Sequence, residues 1–411
     1  MARIYPFQPF RYSAKAGPAE NLVTQPYDKI SPAMQNRYLA LSPYNLVRVI
    51  LGERKPDDSD RDNVYTRAAD HLRKWIADGI LERDSEPGIF PYFQEFTVPD
   101  TGERLVRKGF IALGAVEDYT AGVVHRHEQT LSGPKKDRLD LLRHTHAHFG
   151  QIFMLYPDPE GAIDALLDEA ASQSPPLVQV TDEYGVVHCM WKVADASRVQ
   201  QWMADKKLLI ADGHHRYETA LAFRDQNPGL AGADRVMMTF VNMHSPGLRI
   251  LATHRLVSGL DTRGFPDEFL RRAAGDFQVE EIGSVDRLLQ AWRNVPDYTI
   301  IGAAIEDRLF LMEARAARGE LDVRVLHEQI LAKVLGIGEE AVRHEQNLRY
   351  IRGMDAAMEE ARTGAAQIAF LLKPTSIEQV AGTSFSGGVM PQKSTDFYPK
   401  LLSGLTIYKL D

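Results

Sequence analysis

Cysteine is almost absent from this chain of 411 residues, where Cys189 stands alone. One thiol excludes a disulfide framework and any multi-cysteine metal site, and it suits a reducing cytosol. No apolar run approaches the roughly 20 residues that a membrane-spanning helix needs. The stretch Met1–Phe10 is mixed and proline-broken, unlike a signal peptide. Positive charge is not in excess either: a net charge of -8 and a pI near 5.9 argue against a broad nucleic-acid surface, leaving room for a local basic cleft. Repeats of fixed period and low-complexity segments are also missing, which excludes solenoids and propellers. The expectation is a cytoplasmic protein that engages small molecules, with no membrane or nucleic-acid partner. Its oligomeric state is not written in the sequence.

What is present is an ordinary globular composition, 44% hydrophobic and 25% charged, in a chain longer than one average domain. Three lobes are expected: an α-rich opening over 1–90, a core over 91–260 and an α/β lobe over 261–411. In the opening, Val64, Ala68, Leu72, Trp75 and Ile76 recur at helical spacing, and Gly79 suits the helix end. Phe90–Val98 and Arg104–Val116 flank the turn sequence Pro99-Asp100-Thr101-Gly102 and read as a hairpin. A second hairpin is expected around Asp182–Gly185. Cys189 falls in its second strand, where a buried, inert thiol is expected. Val123–His148 reads as a loop, then a helix from about Asp137. Beyond Leu260, helices and strands alternate. The fold class is mixed α/β.

The most informative stretch runs from Lys207 to Leu221. The apolar strand-like Leu208-Leu209-Ile210-Ala211 meets Asp212-Gly213, then His214-His215-Arg216, then a helix-like run. Strand, tight turn and helix N-terminus follow in that order. The turn glycine lets the backbone approach a ligand, and the first helical turn offers unpaired N–H groups and the positive dipole end. Arg216 and two imidazoles at that point suggest an anion receptor, most naturally for phosphate. Asp212 has two readings that can coexist: a helix N-cap, or a ligand of Mg2+ or substrate.

A second constellation is His125-Arg126-His127-Glu128-Gln129-Thr130, followed by Gly133-Pro134-Lys135-Lys136-Asp137-Arg138. It is either a solvated charged loop or the source of the carboxylate that the turn lacks; Glu128 is then the candidate general base. His144, His146 and His148 invite a zinc reading, but alternate positions in a helix spread around the cylinder. Lys393-Ser394-Thr395 lies in a loop dense in glycine and proline. The Gly-x-x-x-x-Gly-Lys spacing of a Walker site is absent, so the loop is read as a substrate-contacting lid.

These landmarks carry a resemblance. With Gln25-Pro26-Tyr27-Asp28, His127-Glu128, Asp137-Arg138, Asp212–Arg216, Met390-Pro391, Lys393–Thr395 and Pro399-Lys400, the whole chain resembles a bacterial and archaeal family known only as a domain of unknown function. Its centre is similar to the ParB/sulfiredoxin superfamily, in which a Gly-x-x-Arg turn binds nucleotide phosphates; Gly213-His214-His215-Arg216 fits that turn. The Asp-Gly-His-His-Arg form resembles the free-serine kinases of that superfamily. Where sulfiredoxins carry a reactive cysteine this chain has His214, and no helix-turn-helix of the ParB kind is evident. The resemblance implies a ParB/sulfiredoxin-like nucleotide-binding core with N- and C-terminal elaborations. It further implies transfer of a phosphoryl group between a nucleotide (ATP, ADP or another), with Mg2+, and a small hydroxyl metabolite such as free serine. Glu128, Asp212 and His215 would be catalytic, and Gly213, His214, Arg216, His127 and Arg138 would hold the nucleotide. Asp212 would also hold the metal, and Lys393, Ser394 and Thr395 would cover the substrate. The rival readings are a non-catalytic or slowly hydrolysing nucleotide sensor, and a metal-dependent phosphatase built on the histidines.

Overall fold

The computed structural model describes residues 1–128, 132–261, 263–295 and 298–410, with the backbone alone at 132–134 and 317–318. Two units stand where composition suggested three lobes: Met1–Arg249 joined by Pro399–Asp411, and Ile250–Tyr398. The opening 90 residues form no unit of their own because their apolar side chains share a core with later segments. Leu46, Leu72 and Trp75 pack with Leu141, Phe149 and Ile407. Helix α1 (Val64–Ala77) shows how the local sequence builds this layer. The Asn63 side chain accepts from the Tyr65 and Thr66 amides, while the Thr66 hydroxyl accepts from the Asn63 amide, closing a capping box. Val64, Ala68, Leu72 and Trp75 are buried on one face, at about 1.5–3 kcal/mol for each large side chain.

The first unit is organised by a mixed sheet of nine strands. In chain order they are β1 (Ile4–Tyr5), β2 (Phe90–Thr97), β3 (Arg104–Ala115), β4 (Val124–His125), β5 (Ile152–Tyr156), β6 (Val178–Thr181), β7 (Val187–Met190), β8 (Leu208–Asp212) and β9 (Arg235–Asn242). They lie in the order β4-β8-β5-β9-β3-β2-β7-β6, with β1 beside β3. Both expected hairpins form, β2 with β3 from Thr97 opposite Arg104, and β6 with β7 from Thr181 opposite Val187. Cys189 lies buried in β7, and burial pushes its thiol pKa up. On one face, Phe110, Ile152, Met154, Ile210, Met238 and Phe240 recur at every second position and pack with Val199, Met203 and Tyr217. Helix α2 (Ser132–Thr145) starts five residues before the expected Asp137. Pro134 does not prevent this, because a proline in the first helical turn removes an N–H that would lack a helical partner anyway.

The second unit is an antiparallel sheet of six strands: β10 (His254–Val257), β11 (Phe277–Ile282), β12 (Tyr298–Ile305), β13 (Arg308–Arg318), β14 (Leu348–Ile351) and β15 (Ile368–Leu371). Their order is β11-β13-β12-β15-β10-β14. Both faces are covered: Ile301, Ala303, Met312 and Phe370 belong to one apolar cluster, and Ile300, Ala304, Leu311 and Leu371 to another. Among the described residues, no helix is long and apolar enough to cross a membrane.

Candidate phosphate-binding site

Strand β8 lies between β4, to which it is parallel, and β5, to which it is antiparallel. Leu208, Leu209, Ile210 and Ala211 are all buried there, so the apolar run is a central strand. The ladder with β5 is irregular at one point. Leu209 opposes Leu155 and Ile210 opposes Met154, but Asp212 rather than Ala211 opposes Phe153. Directly opposed residues share a face of the sheet. The extra residue therefore moves the carboxylate onto the Phe153 face, where strict alternation would have placed Ala211.

Helix α3 (His214–Gln226) begins at once. Its N-cap is Gly213, at φ 95°, and no side chain caps the first turn. Asp212 is thus not the N-cap: its carboxylate is drawn sideways to cations, leaving the first-turn amides to other partners. Gly213 is required twice over, for the left-handed backbone and because a β-carbon would sit 3.1 Å from the Arg216 guanidinium.

Cations converge on Asp212. Arg216 Nη2 donates to Oδ2 at 2.8 Å, and Lys400 Nζ lies 3.9 Å from Oδ1. Burial would raise the Asp212 pKa, but the fields of Lys400, Arg216 and Lys29 hold it well below the usual carboxylate range. Arg216 also donates to the Gln151 carbonyl, so its guanidinium is folded back onto the protein. Arg107, on β3, is 1% exposed and lies over the Phe153 ring at 4.6 Å. Its Nε and Nη2 donate to Gln94 Oε1, and Nη2 also to the Pro399 carbonyl, but Nη1 has no acceptor among the described residues. No carboxylate pairs with it among the described residues, and burial pulls its pKa down to about 9, with Asp212 opposing the shift. Gln94 in turn donates to the Lys400 carbonyl at 2.8 Å. Arg107, Lys400 and Lys29 were missed as site residues. Nothing local distinguishes Arg107 from neighbouring Arg104 and Lys108.

The second constellation joins the turn through His127. Its Nδ1 donates to the Ile210 carbonyl at 2.9 Å, and its ring meets that of His214 edge-on, centroids 4.7 Å apart. Both rings are buried. Burial lowers the His127 pKa to about 4 and drives that of His214 well below its ordinary value. At neutral pH neither is a cation, so these two rings can offer a phosphate N–H donors but no charge. Among the described residues, His214 Nε2 has no hydrogen-bond partner. Glu128, half-buried, follows His127 directly; Gln129 and Thr130 lie outside the described residues. His215 is half-buried at the start of α3, and its carbonyl accepts from Thr219. Arg126 and Lys135 both bind Glu218 of α3, at 3.2 and 2.9 Å, fastening the basic loop to the helix. Arg138 lies over the Tyr27 ring at 4.0 Å and donates to the Ile50 carbonyl. With Arg216, Tyr27, Thr219, Phe149 and Ser403 it lines a cleft of about 60 Å³.

The other histidines disperse. His144 stacks on Tyr65, His146 meets Phe223 edge-on, and His148 stacks on Tyr408. No group of metal-ligating side chains occurs among the described residues. Asp212 alone does not suit a resident Mg2+ either, since it is already paired with Arg216 and has Lys400 beside it. Lys393, Ser394 and Thr395 belong to the second unit. There the Lys393 carbonyl accepts from Arg255 at 3.0 Å and the Ser394 carbonyl from Thr375 at 2.9 Å.

A family model described as "Protein of unknown function (DUF1015)" matches residues 4–329. No curated protein sequence matches the chain. Among solved structures, the chain is similar to a free serine kinase in complex with AMP, at 14% identity and a TM-score of 0.40, covering 70% of this chain and 88% of that one. It is also similar to a conserved hypothetical protein from Pyrococcus furiosus, at 14% identity and a TM-score of 0.37, covering 69% and 91%. SbnI from Staphylococcus aureus, truncated at its C-terminus, matches at 11% identity and a TM-score of 0.37, covering 71% and 85%. Likeness this faint carries no argument for a shared fold or activity.

Proposed function

The chain belongs to that family, and we propose that it is a nucleotide-binding phosphotransferase with a ParB/sulfiredoxin-like core, moving a phosphoryl group from ATP or ADP to a small hydroxyl metabolite. One observation carries the reading: an uncapped helix N-terminus, opened by a glycine at φ 95°, beside a carboxylate on which Arg216 and Lys400 converge and near which Arg107 is buried without a carboxylate partner. Such a place favours a multiply charged anion. The first-turn amides of His214 and His215 and the Arg107 and Lys400 cations would hold the phosphates. Arg216 joins them when it exchanges Asp212 for the ligand. Arg138 and Tyr27 frame the cleft beside Arg216, toward which the rest of the nucleotide would extend.

In the transfer step the acceptor oxygen bonds to the terminal phosphorus as the bridging P–O bond breaks, and that electron pair leaves with the nucleotide. Glu128 takes the hydroxyl proton. Asp212 orients the acceptor and keeps Lys400 in place, and His215 contacts the substrate from the first turn. Mg2+ would arrive with the nucleotide, neutralising its phosphates.

The test is a thermal-shift and turnover assay with ATP and ADP, with and without Mg2+, against hydroxylated metabolites beginning with serine. A ligand at 100 times its Kd should stabilise the native state by about 2.7 kcal/mol. Glu128→Gln should cut turnover by about 10²–10⁴-fold while nucleotide binding persists. Binding without transfer to any acceptor replaces the kinase reading with that of a nucleotide sensor. Normal turnover by Glu128→Gln removes Glu128 as the base.

A further inference from the structure

Neighbouring strands of the first unit carry a row of buried polar side chains. His188 of β7 opposes Gln94 of β2, and Gln94 opposes Arg107 of β3, so all of them share one face of the sheet. Each is at most 1% exposed. Apolar residues would fill such a row without the cost of desolvating it. The row begins at Asp182, in the turn between β6 and β7. Asp182 Oδ1 accepts from the Tyr184 and Val186 amides at 2.9 and 3.0 Å. Its Oδ2 accepts from Gln25 Nε2 at 3.0 Å, which anchors the Gln25-Pro26-Tyr27-Asp28 stretch, and lies 3.2 Å from His188 Nε2. Burial would raise the Asp182 pKa, but His188 and the two amides hold it below the usual carboxylate range. Burial lowers the His188 pKa against the pull of Asp182, which leaves the ring neutral at neutral pH.

Donors and acceptors then fix one another in series. An ionised carboxylate can only accept, so the single ring proton of His188 sits on Nε2. Nδ1 keeps a lone pair, which the Tyr92 hydroxyl at 2.7 Å and Gln94 Nε2 at 3.3 Å share as donors. The other Gln94 N–H goes to the Lys400 carbonyl at 2.8 Å, so Gln94 Oε1 faces Arg107, whose Nε donates to it at 3.0 Å. A ring proton on Nδ1 would instead set donor against donor there. Turning Gln94 over to relieve that would face its oxygen to the Lys400 carbonyl and its amino group to the guanidinium. The carboxylate of the row stays at its far end, beyond His188 and Gln94, and Arg107 receives only neutral acceptors from its neighbours. We propose that Asp182 and His188 are positioning residues for the phosphate site: they lock the Gln94 amide, and Gln94 holds the Arg107 guanidinium with its charge left for an anion. The role rests on the reading of Arg107 as a phosphate-holding cation.

The test uses the full chain with histidine labelled at its ring nitrogens, proton–nitrogen NMR for the ring, and calorimetry with ADP and inorganic phosphate for affinity. His188, identified by the signals missing from His188→Leu, should be neutral, protonated at Nε2 and bare at Nδ1. Asp182→Asn should put part of the ring population into the other tautomer and raise the Kd for ADP about 10-fold. In an Arg107→Met background the same substitution should cost less than about 3-fold, since the row then has no guanidinium to hold. A merely structural Asp182 would cost the same in both backgrounds. The role is overturned if wild-type His188 carries its proton on Nδ1, if a folded Asp182→Asn binds ADP as the wild type does, or if the loss is equal in both backgrounds. If Asp182→Asn does not fold, His188→Asn, which keeps an acceptor near the Nδ1 position, should bind ADP more tightly than His188→Leu, which keeps none; equal affinities overturn the role. A wild type that binds neither ADP nor phosphate overturns the phosphate site itself and the role with it, whereas every other adverse result leaves that site standing.

Discussion

Replacing Arg107 by methionine separates a ligand-holding cation from a structural one. Among the described residues no carboxylate pairs with this buried guanidinium, and burial lowers its pKa from 12.5 to about 9. At about 1.36 kcal/mol per unit, charging the buried group costs the fold on the order of 5 kcal/mol, an upper figure. The sign follows from a base whose folded pKa is depressed. The cost is fully present below about pH 9 and fades only as the pH rises toward 12.5. Methionine removes that cost but orphans Gln94 Oε1 and the Pro399 carbonyl, at about 1–3 kcal/mol each. The two effects are of similar size, so the ligand-free variant should melt close to the wild type. Its affinity for anions should not survive. A charge-assisted hydrogen bond contributes about 1.5–3 kcal/mol, so the Kd for ADP or inorganic phosphate should rise about 10- to 100-fold. Calorimetry supplies the Kd and differential scanning fluorimetry the melting temperature. A variant that melts far below the wild type yet binds ADP with unchanged affinity would refute the reasoning and make Arg107 a bracket between Gln94 and the 399–400 segment.

Gly213→Ala should destabilise the first unit by about 1–3 kcal/mol in urea unfolding, since the new methyl meets a φ of 95° and the Arg216 guanidinium together; an unchanged midpoint would contradict the turn geometry. His127, with a folded pKa of about 4 against an ordinary 6.5, costs stability as the pH falls through that window, because the unfolded chain binds the proton first. His127→Asn should flatten the decline between about pH 6.5 and 4, read as the difference in unfolding midpoint between variant and wild type. Asp212 runs the other way: its depressed pKa adds stability that is lost only as the pH falls below about 4, so Asp212→Asn should differ from the wild type at pH 7 and converge with it in acid.

What could be read in advance was what neighbouring residues decide between themselves. The spacing Val64-Ala68-Leu72-Trp75 and the turn at Pro99–Gly102 carry their own instructions, and each element forms where those residues put it. The same holds for Leu208–Gly213, where an apolar strand must end and only glycine tolerates the turn. Reading failed where charge depends on distant partners. His214 stands among polar sequence neighbours, yet His127, 87 positions earlier, shares its buried pocket. Asp212 carried both a capping and a ligand reading, and a bulge that no local pattern announces turns it to the Phe153 face, with Gly213 as the N-cap. Arg107 gave no local signal, since its burial depends on Phe153 and on a carbonyl 292 residues away. The segment Pro399–Asp411 returns to the first unit after the second has been completed. It delivers Lys400 to Asp212 and the Pro399 carbonyl to Arg107 in one pass. The positive charge around Asp212 is therefore a property of the folded chain, assembled from positions 107, 216 and 400, and no window of sequence contains it.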